Sequence, residues 1–507
     1  MKNRFLLISF LVGFLSLGEE IVWVRVVSFL GHSVPQSFAF VLFFYIFGIA
    51  LGALWGARLA KKGGLGLKII SFLLAGSGSV VVFSPLLINF LYGSLQFLIF
   101  VGFLIAIGAA LKGAVFPLVH HWFSRPGEKL GRTLSWVYFA NVLGSALGPL
   151  VVGFYFLDYF SMYSALAILG YAEIIMAVIV FMFVGRVRSI VLFCFAIFLF
   201  PLVSNSKDVL RQLVLSQHSP VSDVTNIIEN KHGVIYTLRD DFKNADLVYG
   251  GNVYDGAFSI DLSSNVNGIS RAYLLAGLHS DPKDVLFIGL SSGSWLRVVS
   301  AMPGVESIDV VEINPGYTEL IQNYPGSSDI ISDDRINIVY TDGRKWLNKS
   351  IREGRSYDLI VMNNTWHWRA YSTNLLSYEF MNMLRSVIAK NGVVTFNTTW
   401  SMDVFYTASQ VFSGAYMYRN FVYASDHNLN ETLEENGHRF CELDSSRLEG
   451  QSCQDVNFAS VVDQLQKLHL LDWNEVPKDT LLGRPPEIIT DDNMIVEYKY
   501  GKGLSIY

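Results

Sequence analysis

The sequence predicts an α-helical membrane bundle followed by a small β-domain and a parallel, doubly wound α/β domain. The chain has 507 residues, of which 51% are apolar and only 16% charged, whereas about a quarter of the residues in soluble domains are charged. The composition also changes near Ser204, where nearly continuous apolar runs give way to a sequence typical of soluble proteins. We therefore expect a transmembrane bundle over 1–204, a linker and β-domain over 205–267, an α/β domain over 268–420, and an insertion and tail over 421–507.

Charge and cysteine content exclude two classes of protein. The net charge of −5 excludes a generally basic nucleic-acid binder, so we expect no nucleic-acid partner. The three cysteines exclude a four-cysteine zinc site, and no cluster of histidines and cysteines has metal-ligand spacing. We therefore predict no metal site.

The N-terminal region contains apolar segments suited to a bilayer. A bilayer core of about 30 Å needs about 20 apolar helical residues. Two stripes of glycines at helical spacing, Gly48-Gly52-Gly56 and Gly144-Gly148, predict close helix contacts. Seven segments are expected to span or nearly span the bilayer, the last being the shortest: 5–30, 36–57, 67–91, 93–119, 133–157, 161–184 and 188–204.

Loop charges predict the orientation of the bundle. Lys and Arg occur at residues 2–4, 58–68, 125–132 and 186–188, whereas the alternate loops 31–36, 92–94 and 158–161 have none. The N-terminus should therefore be cytoplasmic in a bacterial-type inner membrane. If 188–204 spans, the soluble half is extracytoplasmic, and we favour this because Arg188 can reach water at one end and Asn205 at the other. If the segment lies in the interface, the soluble half is cytoplasmic.

Polar residues inside the predicted spans are candidates for function. Glu19, Glu20 and Arg25 lie in the first segment, and Glu20 and Arg25 are expected to share the bundle interior. This pair is either functional or a structural ion pair. Asn141 is expected to bond a neighbouring helix, and Lys112 to extend to the basic side of the membrane.

The soluble half begins with β-type segments over 232–238 and 247–262, then alternates strands and helices. That alternation predicts a Rossmann-like parallel sheet, which binds ligands at the carboxyl ends of its strands. The predicted strands are 284–288, 307–312, 336–340, 357–362 and 392–397. The residues that follow or end them, and that we expect to form a nucleoside pocket, are Gly289, Ser291, Gly293, Glu312, Asp342, Gly343 and Asn363.

Each of these residues has a role suited to a nucleoside. The glycine loop lets backbone approach the ligand, Glu312 can accept both ribose hydroxyls, and Asp342 can meet an adenine edge. Asn363 would lie over the reacting centre. The alternative for each residue alone is a turn or a helix cap.

The run VLFIGLSSG…DVVEINP…VYTDGRKWL…YDLIVMNNT…LLSYEF…GVVTFNTT resembles spermidine synthases, the polyamine aminopropyltransferases, over about 223–415. The N-terminal half resembles the membrane domain fused to bacterial spermidine synthase-like proteins, through GEEIVWVRVVSFLG and SWVYFANVLGSALGP. The resemblance implies the S-adenosylmethionine methyltransferase fold. It also implies S-adenosylmethionine or its decarboxylated form as co-substrate.

The resemblance carries over the nucleoside half of the site but not the amine half. Glu312 matches the ribose acid, and Asp342 the acid near adenine. The aspartate that holds the amine acceptor is Ser292 here, and the aspartate that acts as general base is Asn363. The tyrosine-containing acceptor motif reads 267–269, Asn-Gly-Ile. Ordinary putrescine aminopropylation is therefore not expected.

Several other residues are candidates. His367 is a candidate general base, with a cap or surface histidine as the alternative. Asp491 and Asp492 are expected to return to the pocket as replacement carboxylates, with a cap or solvated turn as the alternative. Cys441 and Cys453 form a disulfide if their region is extracytoplasmic and are free thiols otherwise.

Three functions follow from these observations. The first is a membrane-bound transferase with an unusual, small-molecule or lipid-borne acceptor, for which Trp366, Trp368 and Tyr371 offer aromatic walls. The second is a catalytically inactive sensor or assembly protein. The third is a small-molecule transporter with a regulatory soluble domain. The bilayer is the expected partner in each case, and the sequence leaves homo-oligomer formation open.

Overall fold

The computed structural model describes residues 2–61, 66–94, 96–124, 129–183, 206–218, 223–363, 366–476 and 483–504. Among these residues, six helical segments are long and apolar enough to cross a membrane, and they match the first six predicted segments. The seventh, 188–204, lies outside the described residues. The helices are α1 (Lys2–Leu30), α2 (Gln36–Lys61), α3 (Gly66–Leu91), α4 (Phe97–Gly113) with its continuation α5 (Val115–Phe123), α6 (Leu130–Val151) and α7 (Met162–Met182).

Glycines allow the helices of this bundle to touch through their backbones. A Cβ atom at Gly52 would lie 2.0 Å from the carbonyl oxygen of Ala110, where α2 crosses α4. A Cβ atom at Gly148 would lie 2.2 Å from the carbonyl oxygen of Phe14, where α6 crosses α1. Both distances are far below van der Waals contact, so a side chain at either position would force the helices apart. The predicted role of the glycine stripes is confirmed.

The bundle interior holds a cluster of three charged side chains. Lys112 pairs with Glu19 and, at 3.2 Å, with Glu173, and all three side chains are at most 2% exposed. Lys112 therefore does not extend to the basic side as expected. The reason is that two carboxylates from α1 and α7 meet its ammonium group inside the bundle, where an unpaired charge would be costly.

Among the described residues, Glu20 and Arg25 do not form the structural ion pair that the sequence offered as one alternative. Side chains five residues apart on a helix point about 140° apart, and Arg25 instead donates to the carbonyl oxygen of Lys231 in the soluble half. Glu20 is half-buried. Asn141 donates from Nδ2 to the carbonyl oxygen of Ser9 at 3.0 Å, which is the expected bond to a neighbouring helix.

The soluble half begins with α8 (Ser206–Ser216), followed by a small antiparallel sheet in the order β1-β2-β3-β4. A larger sheet follows, in the order β12-β10-β11-β9-β8-β5-β6-β7. The strands are β1 (Asp223–Asn230), β2 (Gly233–Asp240), β3 (Ala245–Gly250), β4 (Val253–Phe258), β5 (Asp284–Ile288), β6 (Ser307–Glu312), β7 (Ile336–Tyr340), β8 (Tyr357–Met362), β9 (Ile388–Asn397), β10 (Gly414–Tyr418), β11 (Phe421–Ser425) and β12 (Leu471–Asp472).

The parallel strands β9-β8-β5-β6-β7 form the predicted doubly wound core. The chain runs from β5 outwards to β6 and β7, then returns to the other side of β5 for β8 and β9. This reversal leaves a crevice at the carboxyl ends of β5 and β8. The helices around this sheet are α9 (Ser294–Ser300), α10 (Gly316–Asn323), α11 (Gly343–Glu353), α12 (Tyr378–Val387), α13 (Met402–Ser409), α14 (Leu429–Asn436) and α15 (Val456–Gln466).

The soluble half docks on one end of the bundle. Ser33, in the loop between α1 and α2, donates to the carbonyl oxygen of Gly251 at 3.0 Å and accepts at its own carbonyl oxygen from the N–H of Ala370 at 2.9 Å. Asp158, at the end of the α6 extension, pairs with Lys231 at 2.7 Å. The loops that receive the soluble half are therefore ones that lack Lys and Arg.

Cys441 and Cys453 are joined by a disulfide, with their Cα atoms 5.3 Å apart. The bond links a short helical turn after α14 to the segment before α15. Of the two alternatives that the sequence left open, the structure contains the disulfide.

Candidate functional site

A cavity of about 650 Å³ lies at the carboxyl ends of β5, β6, β7 and β8. Its volume falls within the range of roughly 300–1,000 Å³ that is usual for small-molecule sites. The sequence-predicted residues that line it are Gly289, Ser291, Glu312, Asp342, Gly343 and Asn363. The strand ends thus bring most of the predicted nucleoside residues to one place.

Glu312 is the last residue of β6 and is 4% exposed. One carboxylate oxygen accepts from the N–H of Leu290 at 2.8 Å, and the other accepts from the N–H of Asn314 at 2.8 Å. Burial raises the pKa of Glu312 to about 7, although the backbone N–H groups favour the carboxylate. The carboxylate is therefore held in one orientation and keeps lone pairs for hydroxyl groups of a ligand.

Only the first part of the glycine loop after β5, from Gly289 to Ser291, lines the cavity. Gly289 has φ 90°, and a Cβ atom there would lie 2.8 Å from the carbonyl oxygen of Asn363. Ser291 donates to the carbonyl oxygen of Asp255 at 2.8 Å. Gly293, predicted to bind the cofactor, is not among the described residues that line the cavity. It precedes α9 with φ 75° and packs against Ile321.

Asp342 lines the cavity and also caps a helix. It accepts from the N–H of Lys345 at 2.9 Å, which satisfies one of the free donors at the start of α11. The helix cap that the sequence left open as an alternative is therefore present, and binding of a nucleoside by Asp342 stays a prediction. Gly343 fits tightly, because a Cβ atom there would lie 2.9 Å from the side chain of Ile288.

The cavity contains a second buried carboxylate, Asp255, which the sequence analysis did not single out. Tyr317 donates to Asp255, and burial raises the pKa of both groups. Arg369 also lines the cavity, and its positive charge favours the Asp255 carboxylate. In the sequence, Asp255-Gly256 has the composition of a turn, but in the structure these two residues lie in the middle of β4.

The structure does not bring His367 to the cavity. Its backbone N–H donates to Thr399 at 3.0 Å, its ring nitrogen Nδ1 lies 2.5 Å from the same hydroxyl, and burial lowers its pKa to about 4. Trp366 donates from its indole to the carbonyl oxygen of Tyr254 at 3.2 Å. His367, Trp366 and Trp368 are not among the described residues that line the cavity, whereas Tyr371 is.

Asp491 and Asp492 do not return to the cavity either. Arg344, on the outer face of α11, holds Asp491 through two hydrogen bonds of 2.6 and 2.8 Å, and these lower the pKa of the carboxyl. Asp492 is exposed. The expected replacement carboxylates are therefore on the surface, because the guanidinium of Arg344 captures the first of them.

A different acidic residue of the C-terminal tail, Glu497, contacts the loop that carries Tyr371. Glu497 is 1% exposed and accepts from the N–H groups of Tyr371 and Thr373, both at 2.9 Å. Its own carbonyl oxygen accepts from Gln36 of α2 at 3.2 Å. The tail thus ties the loop that carries Tyr371 to the helical bundle.

The bundle contributes one wall of the same cavity. The side chains come from α1 and from the turns that extend α6, a π-helical turn (Val152–Phe156) and a short helical turn (Leu157–Tyr159). The bundle residues that line the cavity include Ile21, Val24, Arg25, Ser28, Gly153 and Leu157. The strand-end site is therefore open to the bundle and is not enclosed by the soluble half alone.

Comparison with known proteins shows what the chain is similar to. The family model "Spermine/spermidine synthase domain" matches residues 273–417. Polyamine aminopropyltransferase 2 of Streptomyces coelicolor is 25% identical over 417 residues, which are 77% of this chain and 73% of that protein. Polyamine aminopropyltransferase 1 of the same organism is 24% identical and covers similar shares, 77% and 75%.

Shorter relatives match a smaller part of the chain. The polyamine aminopropyltransferase of Clostridium botulinum is 30% identical over 113 residues, 22% of this chain and 38% of that protein. The solved structure of spermidine synthase from Thermotoga maritima matches 48% of this chain and 88% of its own chain, at 18% identity and a TM-score of 0.37. From the family model and the curated relatives, the chain is a spermidine synthase-like protein.

Proposed function

We propose that the cavity binds S-adenosylmethionine or its decarboxylated form, and that the protein transfers an alkyl group from this donor to an amine. The observation that carries the proposal is Glu312, a buried, oriented carboxylate at the end of β6 beside the glycine loop. The relatives named polyamine aminopropyltransferases support an amine as the acceptor.

The residues present fit an adenosyl group. Glu312 would accept the ribose hydroxyls, Asp342 would lie near the adenine, and the backbone after Gly289 would approach the donor closely. The sulfonium of the donor is a cation, and Asp255 is a second carboxylate of the cavity that favours it. When bound, the donor supplies the electrophilic carbon of the reaction.

On the acceptor side, the proposal takes Ser292 and Asn363 to stand where the resembling family has aspartates. Ser292, in place of the amine-holding aspartate, donates to the carbonyl oxygen of Ala257 at 2.8 Å and is buried. Asn363, in place of the general base, has no acidic group. We assign proton acceptance to Asp255 instead, because it is a buried carboxylate in the same cavity.

Calorimetry of the full chain in detergent, titrated with S-adenosylmethionine, its decarboxylated form and 5′-methylthioadenosine, tests the binding step. We expect binding that Glu312→Gln weakens by roughly 1.5–3 kcal/mol, the range for a hydrogen bond to a charged group. Glu319→Gln, an exposed acid of α10, is the matched control and should leave the affinity unchanged. Equal affinities for all three proteins would reject the assignment of Glu312.

Turnover with a panel of soluble amines and amine-bearing lipids tests the transfer step. Asp255→Asn keeps the shape of the side chain but removes the base, so we expect kcat to fall roughly 10²–10⁴-fold, the usual contribution of a positioned base. The dissociation constant of 5′-methylthioadenosine should stay the same. An undiminished kcat would assign proton acceptance to another group or to water.

We also propose that the protein is a multi-pass protein of a bacterial-type inner membrane with a cytoplasmic N-terminus and an extracytoplasmic soluble half. Arg4 lies 4.1 Å from the ring of Phe183, so the end of α7 is at the N-terminal end of the bundle. Near the opposite end of the bundle, the side-chain amide of Asn89 donates to the carbonyl oxygen of Val209 at 2.7 Å. Phe183 therefore lies at one end of the bundle and Val209 near the other, where the soluble half docks on the loops without Lys and Arg.

The disulfide supports the same placement, since such bonds persist in oxidising compartments. It also favours a second candidate function, a nucleoside-binding sensor or assembly protein without turnover. S-adenosylmethionine is made in the cytoplasm, so an extracytoplasmic transferase depends on delivery of its donor. Binding in the calorimeter together with no turnover for any amine would select this second candidate.

A further inference from the structure

The cavity extends from the strand-end site into the hydrophobic part of the bundle. Ile21 and Val24 of α1 line it together with Gly153 and Leu157 of the α6 extension. Ile21 lies nine residues before the end of α1 at Leu30, which is about 13 Å along the helix axis at about 1.5 Å per residue. One end of the cavity therefore lies inside the bundle, about 13 Å from the level at which α1 ends.

The contact with α1 is looser at Gly153 than at Gly148. At Gly148 a Cβ atom would lie 2.2 Å from the backbone of α1, but at Gly153 it would lie 3.6 Å from the side chain of Ile21, an ordinary contact. Gly153 belongs to the π-helical turn, which interrupts the regular helix between these two positions. Such turns change the direction of side chains and are frequent at functional sites.

Ionisable side chains line both parts of the cavity. Arg25 and Lys231 line the bundle side, where Asp158 pairs with Lys231. On the strand-end side, Asp255, Glu312 and Asp342 line the cavity, and Arg369 lies among them. A ligand that spans the cavity therefore meets apolar side chains, then a guanidinium group, then carboxylates.

We propose that the acceptor is an amine-bearing phospholipid that enters from the bilayer. Its acyl chains would lie against Ile21 and Gly153, its phosphate would meet Arg25, and its amine would reach Asp255. Arg25 suits the phosphate because a guanidinium group offers several N–H donors in one plane, and it lies five residues before the end of α1, near the level of lipid head groups. This inference rests on the proposed transferase function, whose acceptor class it specifies.

Transfer to such a lipid balances without a further reactant. The nitrogen lone pair forms a bond to the donor carbon attached to sulfur, and the carbon–sulfur bond breaks. Both electrons of that bond stay on sulfur, so the sulfonium leaves as a neutral thioether. The proton that the nitrogen loses passes to Asp255 and then to water.

The test uses the full chain in nanodiscs of phosphatidylethanolamine, phosphatidylcholine or phosphatidylglycerol, with each donor form added and the lipids analysed by mass spectrometry. We expect an alkylated lipid with phosphatidylethanolamine alone, since the quaternary nitrogen of phosphatidylcholine has no lone pair and phosphatidylglycerol has no amine. Product from a soluble diamine and none from phosphatidylethanolamine would overturn the inference while leaving the transferase function in place.

A binding readout separates the two proposals. A photoactivatable phosphatidylethanolamine should crosslink to peptides that contain residues 21–28 or 152–157, and Gly153→Leu should lower this yield about tenfold. Gly131→Leu on the same helix, where a side chain meets open space, is the matched control. A second variant, Arg25→Gln, should also lower the crosslinking yield. Its affinity for 5′-methylthioadenosine should stay the same, and this unchanged affinity verifies that the variant is folded.

The outcomes are distinct. If the unmodified chain does not bind the nucleoside, the proposed function is rejected even if the lipid crosslinks. Crosslinking that is equal for Gly153→Leu, Arg25→Gln and the unmodified chain would reject the lipid site even if the nucleoside binds.

Discussion

At the scale of single residues, the surroundings of a buried charge decide whether it can meet a ligand. Glu312 and Lys112 are both nearly inaccessible, but only Glu312 faces a cavity. Its carboxylate is held by two backbone N–H groups, so a ligand meets an oriented acceptor. Lys112 meets two carboxylates and is enclosed by the bundle, which is an arrangement that orders helices.

Nucleoside binding is expected to depend on pH through Glu312. Burial raises the pKa of this carboxyl from 4.5 to about 7 in the free protein, and the ribose hydroxyls need the ionised form as acceptor. Affinity should therefore be full above about pH 7 and fall as the pH decreases, towards a limit of about tenfold per pH unit for one coupled proton. Calorimetry between pH 5 and 8 measures this, and Glu312→Gln should give a flat profile. A flat profile in the unmodified chain would contradict the prediction.

Lys112→Met is expected to destabilise the bundle strongly. The substitution leaves Glu19 and Glu173 close together without a cation, and breaking a buried pair in this way costs about 3–5 kcal/mol. Thermal unfolding of the full chain in detergent measures the loss. Lys61→Met, at the exposed end of α2, is the control. A triple variant that also carries Glu19→Gln and Glu173→Gln should regain much of the stability, and failure to do so would show that Lys112 acts by packing.

At the scale of elements, glycine spacing sets how closely the helices approach. The crossings at Gly52 and Gly148 bring backbones into contact, and the contact with α1 is looser at Gly153 in the π-helical turn. The same helix, α6, therefore serves both as a structural contact and as a wall of the cavity. Regular glycine spacing predicts the first role, and the break in the helix provides the second.

Gly52→Leu is expected to destabilise the contact between α2 and α4. The nearest atom to the new Cβ is the backbone oxygen of Ala110 at 2.0 Å, which cannot move aside without shifting the helix. Overpacking of this kind costs about 1–3 kcal/mol, measured as a lower thermal midpoint of the full chain in detergent. Gly131→Leu controls for added hydrophobicity, because nothing lies within 4 Å of its Cβ position. Equal midpoints for both variants would argue against a tight crossing.

At the scale of the whole molecule, the bundle and the soluble half share one site. Hydrogen bonds from Ser33 and Asn252, and the tail through Glu497, hold the two halves together around the cavity. The 650 Å³ cavity is lined by residues from both halves, so the helical bundle forms part of the proposed ligand site.

The placement of the soluble half can be measured directly. An alkaline phosphatase fused after Tyr507 is expected to be active, because that enzyme folds only outside the cytoplasm, where disulfides form. In intact cells, Cys441 and Cys453 should resist maleimide labelling until a reductant is added. A fluorescent protein that is active at the same fusion point, paired with an inactive phosphatase, would place the soluble half in the cytoplasm.

The local part of this structure was determined by the sequence. Strands β5 to β8 end where predicted, since a short apolar run bounded by turn residues specifies a buried strand by itself. Glu312, Asp342 and Asn363 meet at one edge because parallel strands bring their carboxyl ends together. The six long apolar helices among the described residues and the glycine crossings follow from length, hydrophobicity and spacing in the same way.

Only the tertiary structure decided which charges meet. Asp255 and Glu497 enter or brace the site from distant segments, and Lys112 finds its carboxylates on two other helices. Asp491 is kept from the cavity by Arg344, and Arg25 faces the soluble half because that half docks beside it. Sequence periodicity reports the face of an element on which a side chain lies, but the partner on that face depends on contacts between segments far apart in the chain.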